Sequence, residues 1–233
     1  MVEIDTTGGP GFGFEHYKAY DFLQDHEVVL TFDDGPWPGS TPSVLATLAN
    51  NCAKATFFSI GKHALYHPEI LKQVAAAGHT IGTHTYSHAD LTKLQPDQAK
   101  AEIEKGLSAV KFALGGPPSA FFRFPYLRGP QDMEAYLGSR GIAIFSTDID
   151  SFDFRRGTRP EALVKSVVGR LEKRGKGIVL LHDFQKHTAE ALPALLAQLK
   201  AKGFKLVHLK SKALATSIAS YDAEIEKEAH GVA

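Results

Sequence analysis

Val28-Val29-Leu30-Thr31-Phe32-Asp33-Asp34-Gly35-Pro36 joins an apolar run directly to two adjacent carboxylates and a Gly-Pro stop. The run has the composition of a buried strand, and Gly35-Pro36 ends it. Two neighbouring carboxylates at the end of such a strand repel one another, so they persist only where a cation, a hydrogen-bond network or open water offsets the cost. One divalent cation would do so economically. Its other partners would lie downstream in Thr83-His84-Thr85-Tyr86-Ser87-His88, just after a second strand-like run, His79–Thr83. His84 and His88 share a face if the loop makes one helical turn. Alone, such a pair is more often two solvated histidines; with an aspartate at hand it becomes a metal donor set with room for water. The residues by themselves do not say which of Asp33 and Asp34 would ligate. Of the eleven histidines, His16, His26, His63, His67, His187, His208 and His230 lack comparable neighbours and receive no role.

The same strand-then-helix grammar repeats outward from this stretch. Ser40-Thr41-Pro42 reads as a cap and first-turn proline for a helix through Val44, Leu45 and Leu48, ending near Asn50-Asn51. Lys54–Ile60 reads as a strand closed by Gly61, and His67-Pro68-Glu69 opens a helix that stops at Gly78. Pro96-Asp97 opens a longer helix ending at Gly115-Gly116-Pro117-Pro118. Strands follow at Phe121–Phe124, Ile142–Ser146, Ile178–Leu181 and Phe204–His208, with helices at Gln131–Arg140, Pro160–Lys173 and from Thr188 to Gly203. Thr188 with Glu190, and Glu161 after Pro160, read as capping arrangements. Seven strand-helix alternations predict an α/β protein with a parallel sheet, doubly wound or closed into a barrel. The polar clusters fall just after strands, and in a parallel barrel those ends share one rim.

The organisation expected is one domain over 27–210, preceded by an irregular arm over 1–26 and followed by a helical tail over 211–233 that frays at Gly231-Val232-Ala233. With 233 residues and 43% hydrophobic content the chain can bury a core of its own. Lysine plus arginine and aspartate plus glutamate both total 26, so no global field points to nucleic acid. No run of about eighteen apolar residues implies a membrane span. The single cysteine, Cys52, excludes an intrachain disulfide framework and reads as a small buried hydrophobe. Met1–Asp5 carries no export signal; a trimmed one would leave the same sequence, so cytoplasmic and exported settings both stay open, as does oligomeric state.

Five stretches in order, Thr31-Phe32-Asp33-Asp34-Gly35-Pro36, His84-Thr85-Tyr86-Ser87-His88, Arg123-Phe124-Pro125-Tyr126, Asp150-Ser151-Phe152-Asp153-Phe154 and Leu180-Leu181-His182, resemble the motifs of the polysaccharide deacetylases, the NodB-homology or carbohydrate esterase family 4 domains. The resemblance covers roughly Glu27 to Leu209. It implies a distorted (β/α)7 TIM-like barrel carrying one divalent metal, usually Zn2+, with Co2+, Ni2+ or Mn2+ as substitutes. It makes Asp33 the general base, Asp34, His84 and His88 the metal ligands, and Arg123 the residue that holds the base. It gives the Tyr126 N–H, after Pro125, the oxyanion, and His182 the role of general acid. Asp153 is expected to orient His182 and keep it protonated, and Leu180, on the same side as His182 by strand alternation, to meet the acetyl methyl group. The family usually has Trp where this chain has Phe154; a phenyl ring keeps the apolar wall and loses the indole N–H. Trp37 and Phe152 are candidate stacking surfaces for sugar rings.

The function so implied is hydrolysis of N-acetyl groups on N-acetylated sugars, in chitin-like oligosaccharides or peptidoglycan, with release of acetate. Four readings compete with it. O-acetyl xylan esterase and allantoinase-like cyclic amide hydrolase use the same fold, although several of the latter lack the metal histidines present here. A non-haem iron oxygenase leaves Arg123 and His182 unexplained. A carbohydrate-binding pseudoenzyme would have lost one of Asp33, Asp34, His84, His88 or His182, and this chain has all five.

Overall fold

Residue parity along the strands decides what enters the barrel. In the computed structural model, which describes residues 1–231, the chain forms β1 (Val2–Ile4), β2 (Gly11–Phe12), β3 (Glu27–Asp33), α1 (Ser40–Asn50), β4 (Thr56–Ser59), α2 (Gly61–Tyr66), α3 (Pro68–Ala76), β5 (Thr80–Thr83) and α4 (Pro96–Leu114). It continues with β6 (Phe121–Phe122), α5 (Gln131–Ser139), β7 (Ala143–Phe145), β8 (Ile149–Asp150), α6 (Pro160–Arg174), β9 (Gly177–His182), α7 (Lys186–Ala201), β10 (Lys205–Leu206), β11 (Leu209–Ser211) and α8 (Ala219–Ala229). The main sheet runs β2-β7-β6-β5-β4-β3-β9-β8, all parallel, with β10 paired to the start of β3. It is curled and covered by helices, the distorted (β/α)7 barrel expected.

Val28, Leu30 and Phe32 pack outward with Val179, Leu181 and the apolar faces of α1, α6 and α7. Val29 instead joins Phe58, Phe121, Phe145 and Ile178 in a separate inner cluster. Alternation then turns Thr31 and Asp33 inward above Val29, and Leu180 and His182 inward above Ile178. Register aligns the two rows, Thr31 with Leu180 and Asp33 with His182.

Several expectations need correction. The stretch 1–26 is not simply irregular: β1 pairs with β11, and β2 pairs with β7 inside the main sheet. Its glycines mask this role, which rests on one buried aromatic, Phe12, stacked on Phe145. Gly11 is required there because a Cβ would lie 2.4 Å from the Tyr17 ring. Beyond β2 the backbone N–H of Phe14 and Glu15 donate to Asp148 and to the Thr147 carbonyl, so the arm lines the seam between β7 and β8. Gly61 opens α2 rather than only ending a strand, Ile149–Asp150 forms β8 without a strand-like run to announce it, and Cys52 is exposed. The α1 cap is Gly39 with no side-chain cap bond. The fraying expected over Gly231-Val232-Ala233 lies, for the last two residues, outside the described residues. Among the described residues no helix is long and apolar enough to cross a membrane.

Candidate active site

The two adjacent aspartates point to different partners. Asp33, the last residue of β3, is buried, and its Oδ1 accepts from Arg123 Nη1 at 2.7 Å. Arg123 is itself 0% exposed. Its Nη1 also donates to Thr31 Oγ1 (2.8 Å), Nη2 to the Ser146 carbonyl (2.8 Å) and Nε to the Phe145 carbonyl (3.2 Å), while its guanidinium lies 4.4 Å from the Phe58 ring centroid. The charge flanked by Phe122 and Phe124 thus has its buried partner. Burial pushes the Asp33 carboxyl upward and Arg123 opposes it. Replacing Arg123 by Met would strand Asp33 without a counter-charge, so urea unfolding of Arg123→Met is expected to show a loss of about 3–5 kcal/mol. A loss under about 1 kcal/mol would mean that the pair is not closed to water.

Asp34 stands at φ 74° and turns the other way. Its Oδ1 lies 3.5 Å from His84 Nε2 and 3.4 Å from His88 Nε2, and it is buried without a hydrogen-bond donor. One ligand atom from each of the three residues falls within 4.8 Å of the others. Donor atoms bound to a tetrahedral zinc at about 2.0–2.2 Å stand roughly 3.4 Å apart, so the cluster fits a small divalent ion. The chemistry of the donors fits as well. His84 Nδ1 sits 2.7 Å from the Arg123 carbonyl, which can only accept, so Nδ1 carries the proton and Nε2 keeps its lone pair. Burial pushes both imidazoles down, helped at His84 by the charge of His88 and at His88 by those of His182 and His63, which together take His88 to about 4. Burial, with the charges of Asp33 and Asp183 and against that of His182, raises Asp34 to about 7 in the metal-free chain.

Across the mouth, His182 Nδ1 lies 2.6 Å from Asp153 Oδ1, while Asp153 Oδ2 accepts from the His182 N–H (2.7 Å) and Thr188 Oγ1 (2.6 Å). Burial would lower the His182 pKa, but this hydrogen bond and charge, with Asp34 and Asp33 behind them, raise it to about 10. His182 Nε2 faces Asp34 Oδ2 at 3.9 Å. Leu180, Phe154, Tyr126, Phe124 and Leu127 line the remainder of a cleft of about 350 Å³. Tyr126 is 60% exposed, and its ring stands edge-on to His88 at 4.8 Å. Phe154 stands edge-on to His182 at 5.8 Å. Asp34, Thr85, His88, Tyr126, Leu127 and Phe152 all adopt left-handed backbone (φ 55° to 74°) on the loops that carry the site motifs, and only His26 and Cys52 among the other described non-glycine residues do so elsewhere.

Three of the residues named for substrate contact sit outside the cleft lining, among them Phe152, whose ring lies under the Arg155 and Arg170 guanidiniums. Trp37, 40% exposed, packs against His63 and His67 outside the cleft lining, and Pro125 is buried behind Tyr126. Sequence reasoning also missed contributors. Glu15 lines the cleft, as does Asp150, which stands in the fourth motif but received no role. Asp183, fully buried and raised by burial to about 7, accepts from the Gly35 N–H and from the Thr41 hydroxyl. Thr41 and Thr188, read as helix caps, serve carboxylates instead. Asp183 carries a local signal, its place at the end of the buried run Ile178–Leu181; Glu15 carries none.

A parallel barrel that gathers this donor set, a buried Arg–Asp pair and a His–Asp pair at the carboxyl ends of its strands has the build of a hydrolase. The chain belongs to the polysaccharide deacetylase family, whose profile matches residues 23–145. It is 33% identical to a peptidoglycan-N-acetylglucosamine deacetylase of Bacillus cereus over 91% of this chain and 78% of that protein. It is 32% identical to a chitooligosaccharide deacetylase of Bradyrhizobium over 80% of this chain and 90% of the relative. Among solved structures, the peptidoglycan deacetylase of Bdellovibrio bacteriovorus superposes with a TM-score of 0.82 at 36% identity, covering 91% of this chain but only 58% of that one.

Proposed function

We propose that the chain is a metal-dependent deacetylase that hydrolyses N-acetyl groups of N-acetylated sugars, in chitin-like oligosaccharides or peptidoglycan, to acetate and a free amine. The observation that carries this reading is the divergence of the two aspartates, one committed to Arg123 and the other left without a donor beside two histidines. A divalent ion held by Asp34, His84 and His88, zinc or cobalt, nickel or manganese in its place, would polarise the acetyl carbonyl and acidify a water. Asp33 takes the proton of the attacking water on Oδ2, since Oδ1 is bound to Arg123. Arg123 keeps that carboxylate oriented. The Tyr126 N–H, presented by a left-handed turn, donates to the oxygen that gains charge; one such donor is worth roughly 3 kcal/mol. His182 gives its Nε2 proton to the departing nitrogen, and Asp153 holds the opposite side of the ring. Leu180 and Phe154 supply the apolar wall against the acetyl methyl group and the sugar.

Support for the substrate class comes from relatives named for peptidoglycan and chitooligosaccharide deacetylation. The test pairs elemental metal analysis with acetate release from chitooligosaccharides, peptidoglycan and acetylxylan. Acetate from either N-acetylated substrate, dependent on one equivalent of metal, is the expected result. Release from acetylxylan alone would replace the reading with an O-acetyl esterase.

A pH prediction follows from the His182–Asp153 pair. Turnover needs His182 protonated, so the rate falls as pH rises through its pKa. Asp153→Asn removes the charge that, against burial, holds that pKa up. Its alkaline limb is therefore expected at lower pH than in the wild type, with metal content unchanged. An unmoved limb would detach Asp153 from the acid.

A further inference from the structure

The loop that carries His84 and His88 is held from behind by helices outside the sheet. Thr85 and His88 both have φ of 62°, a conformation that needs support. Two of its carbonyls, those of Thr85 and Tyr86, accept from the Gly61 and Lys62 N–H at the start of α2, each at 2.9 Å. From α4, Gly106 lies so close that a Cβ there would meet the Thr85 carbonyl carbon at 2.5 Å, and Glu102 accepts from the Ser87 N–H and hydroxyl at 2.9 and 2.8 Å. The Tyr86 side chain, which points away from the cleft, packs with Ala109 of α4 and with Ile225 of α8. Its hydroxyl donates to Glu228, also on α8. Ion pairs from Lys105 to Glu224 and from Lys111 to Asp222 dock the same helix on α4.

We propose that α8 is a positioning element for the metal-ligand loop, acting on His84 and His88 through Tyr86, with Ile225 and Glu228 as the residues that do so. The proposal rests on the metal reading above. Tyr86 lies between the two ligands, so fixing its ring and hydroxyl restricts the loop on both sides. Without that grip, the left-handed residues Thr85 and His88 relax toward ordinary backbone, and the two Nε2 atoms lose their shared approach to Asp34. The helix thereby links a segment beyond the barrel to the order of the cleft.

The test uses full-length variants Tyr86→Phe, Glu228→Ala and Glu228→Gln, with Co2+ as the probe. Binding is followed by the visible absorption of the ion, and amide hydrogen exchange across 84–88 is followed in metal-free protein. Tyr86→Phe and Glu228→Ala are expected each to weaken Co2+ binding by about tenfold, the lower end for outer partners of a metal site. They should also alter the absorption band and speed exchange at Tyr86 to His88, and the double variant should be no worse than either. Glu228→Gln, which keeps an acceptor for the hydroxyl, should restore affinity. A lowered melting temperature with Co2+ affinity, spectrum and exchange all unchanged would overturn the proposal and leave α8 a simple structural support. Wild type without stoichiometric Co2+ binding would instead defeat the metal reading, and exchange across 84–88 would still decide whether α8 orders the loop.

Discussion

If the cluster holds the proposed metal, His88→Ala protein is expected to emerge from purification and dialysis without bound metal and with activity reduced by at least about a thousandfold. The reduction corresponds to losing the several kcal/mol that a Lewis acid contributes, at one decade per 1.36 kcal/mol. His88 is the most accessible of the three donors, with a quarter of its side chain exposed, so its removal should perturb packing least. His84, buried and hydrogen-bonded to the Arg123 carbonyl, would confound loss of a donor with loss of fold. Elemental analysis of the His88→Ala protein is the measurement. One tightly held equivalent remaining would show that the Asp34 cluster is not the metal centre.

Asp33→Asn separates the second aspartate from the first. An amide oxygen still accepts from Arg123, so the pair is weakened without an orphaned guanidinium, but the other side of the group becomes a donor that cannot take a proton. Turnover should fall by about 10²–10⁴ while metal content stays at the wild-type value. Asp34→Asn should instead lower metal retention. Equal metal loss in both would mean that the roles assigned to the two carboxylates have been confused.

The barrel and the motifs that supply the proposed site were readable because their signals are local. Val28–Phe32 and Ile178–Leu181 are continuous apolar runs, and each polar cluster follows such a run within a few residues. What escaped has its cause at a distance. β2 is two residues long, and only its pairing with Ile144 and Phe145 makes it a strand. Thr41 and Thr188 have the position and chemistry of caps, yet each donates to a carboxylate brought in by tertiary structure, Asp183 and Asp153. Adjacent Asp33 and Asp34 were indistinguishable by type; a left-handed φ at Asp34 sends them to separate partners. Trp37 misled because exposure beside a motif does not decide which side of a loop a ring takes.

The strand pairings that join distant parts of the chain also bear on the order of its biosynthesis. Val2 finds its partner only at Leu209, and Gly11 only at Ile144. At about 5–20 residues per second on the ribosome, roughly 10–40 s separate the emergence of β1 from that of β11. Through that interval β1 has no pairing edge, and once β7 has formed it offers an open edge of its own until β2 docks, the kind of edge that invites pairing with other chains. β1 is thus made before every strand of the main sheet yet is paired only after all of them, whereas β2 can dock as soon as Ile144 and Phe145 have emerged.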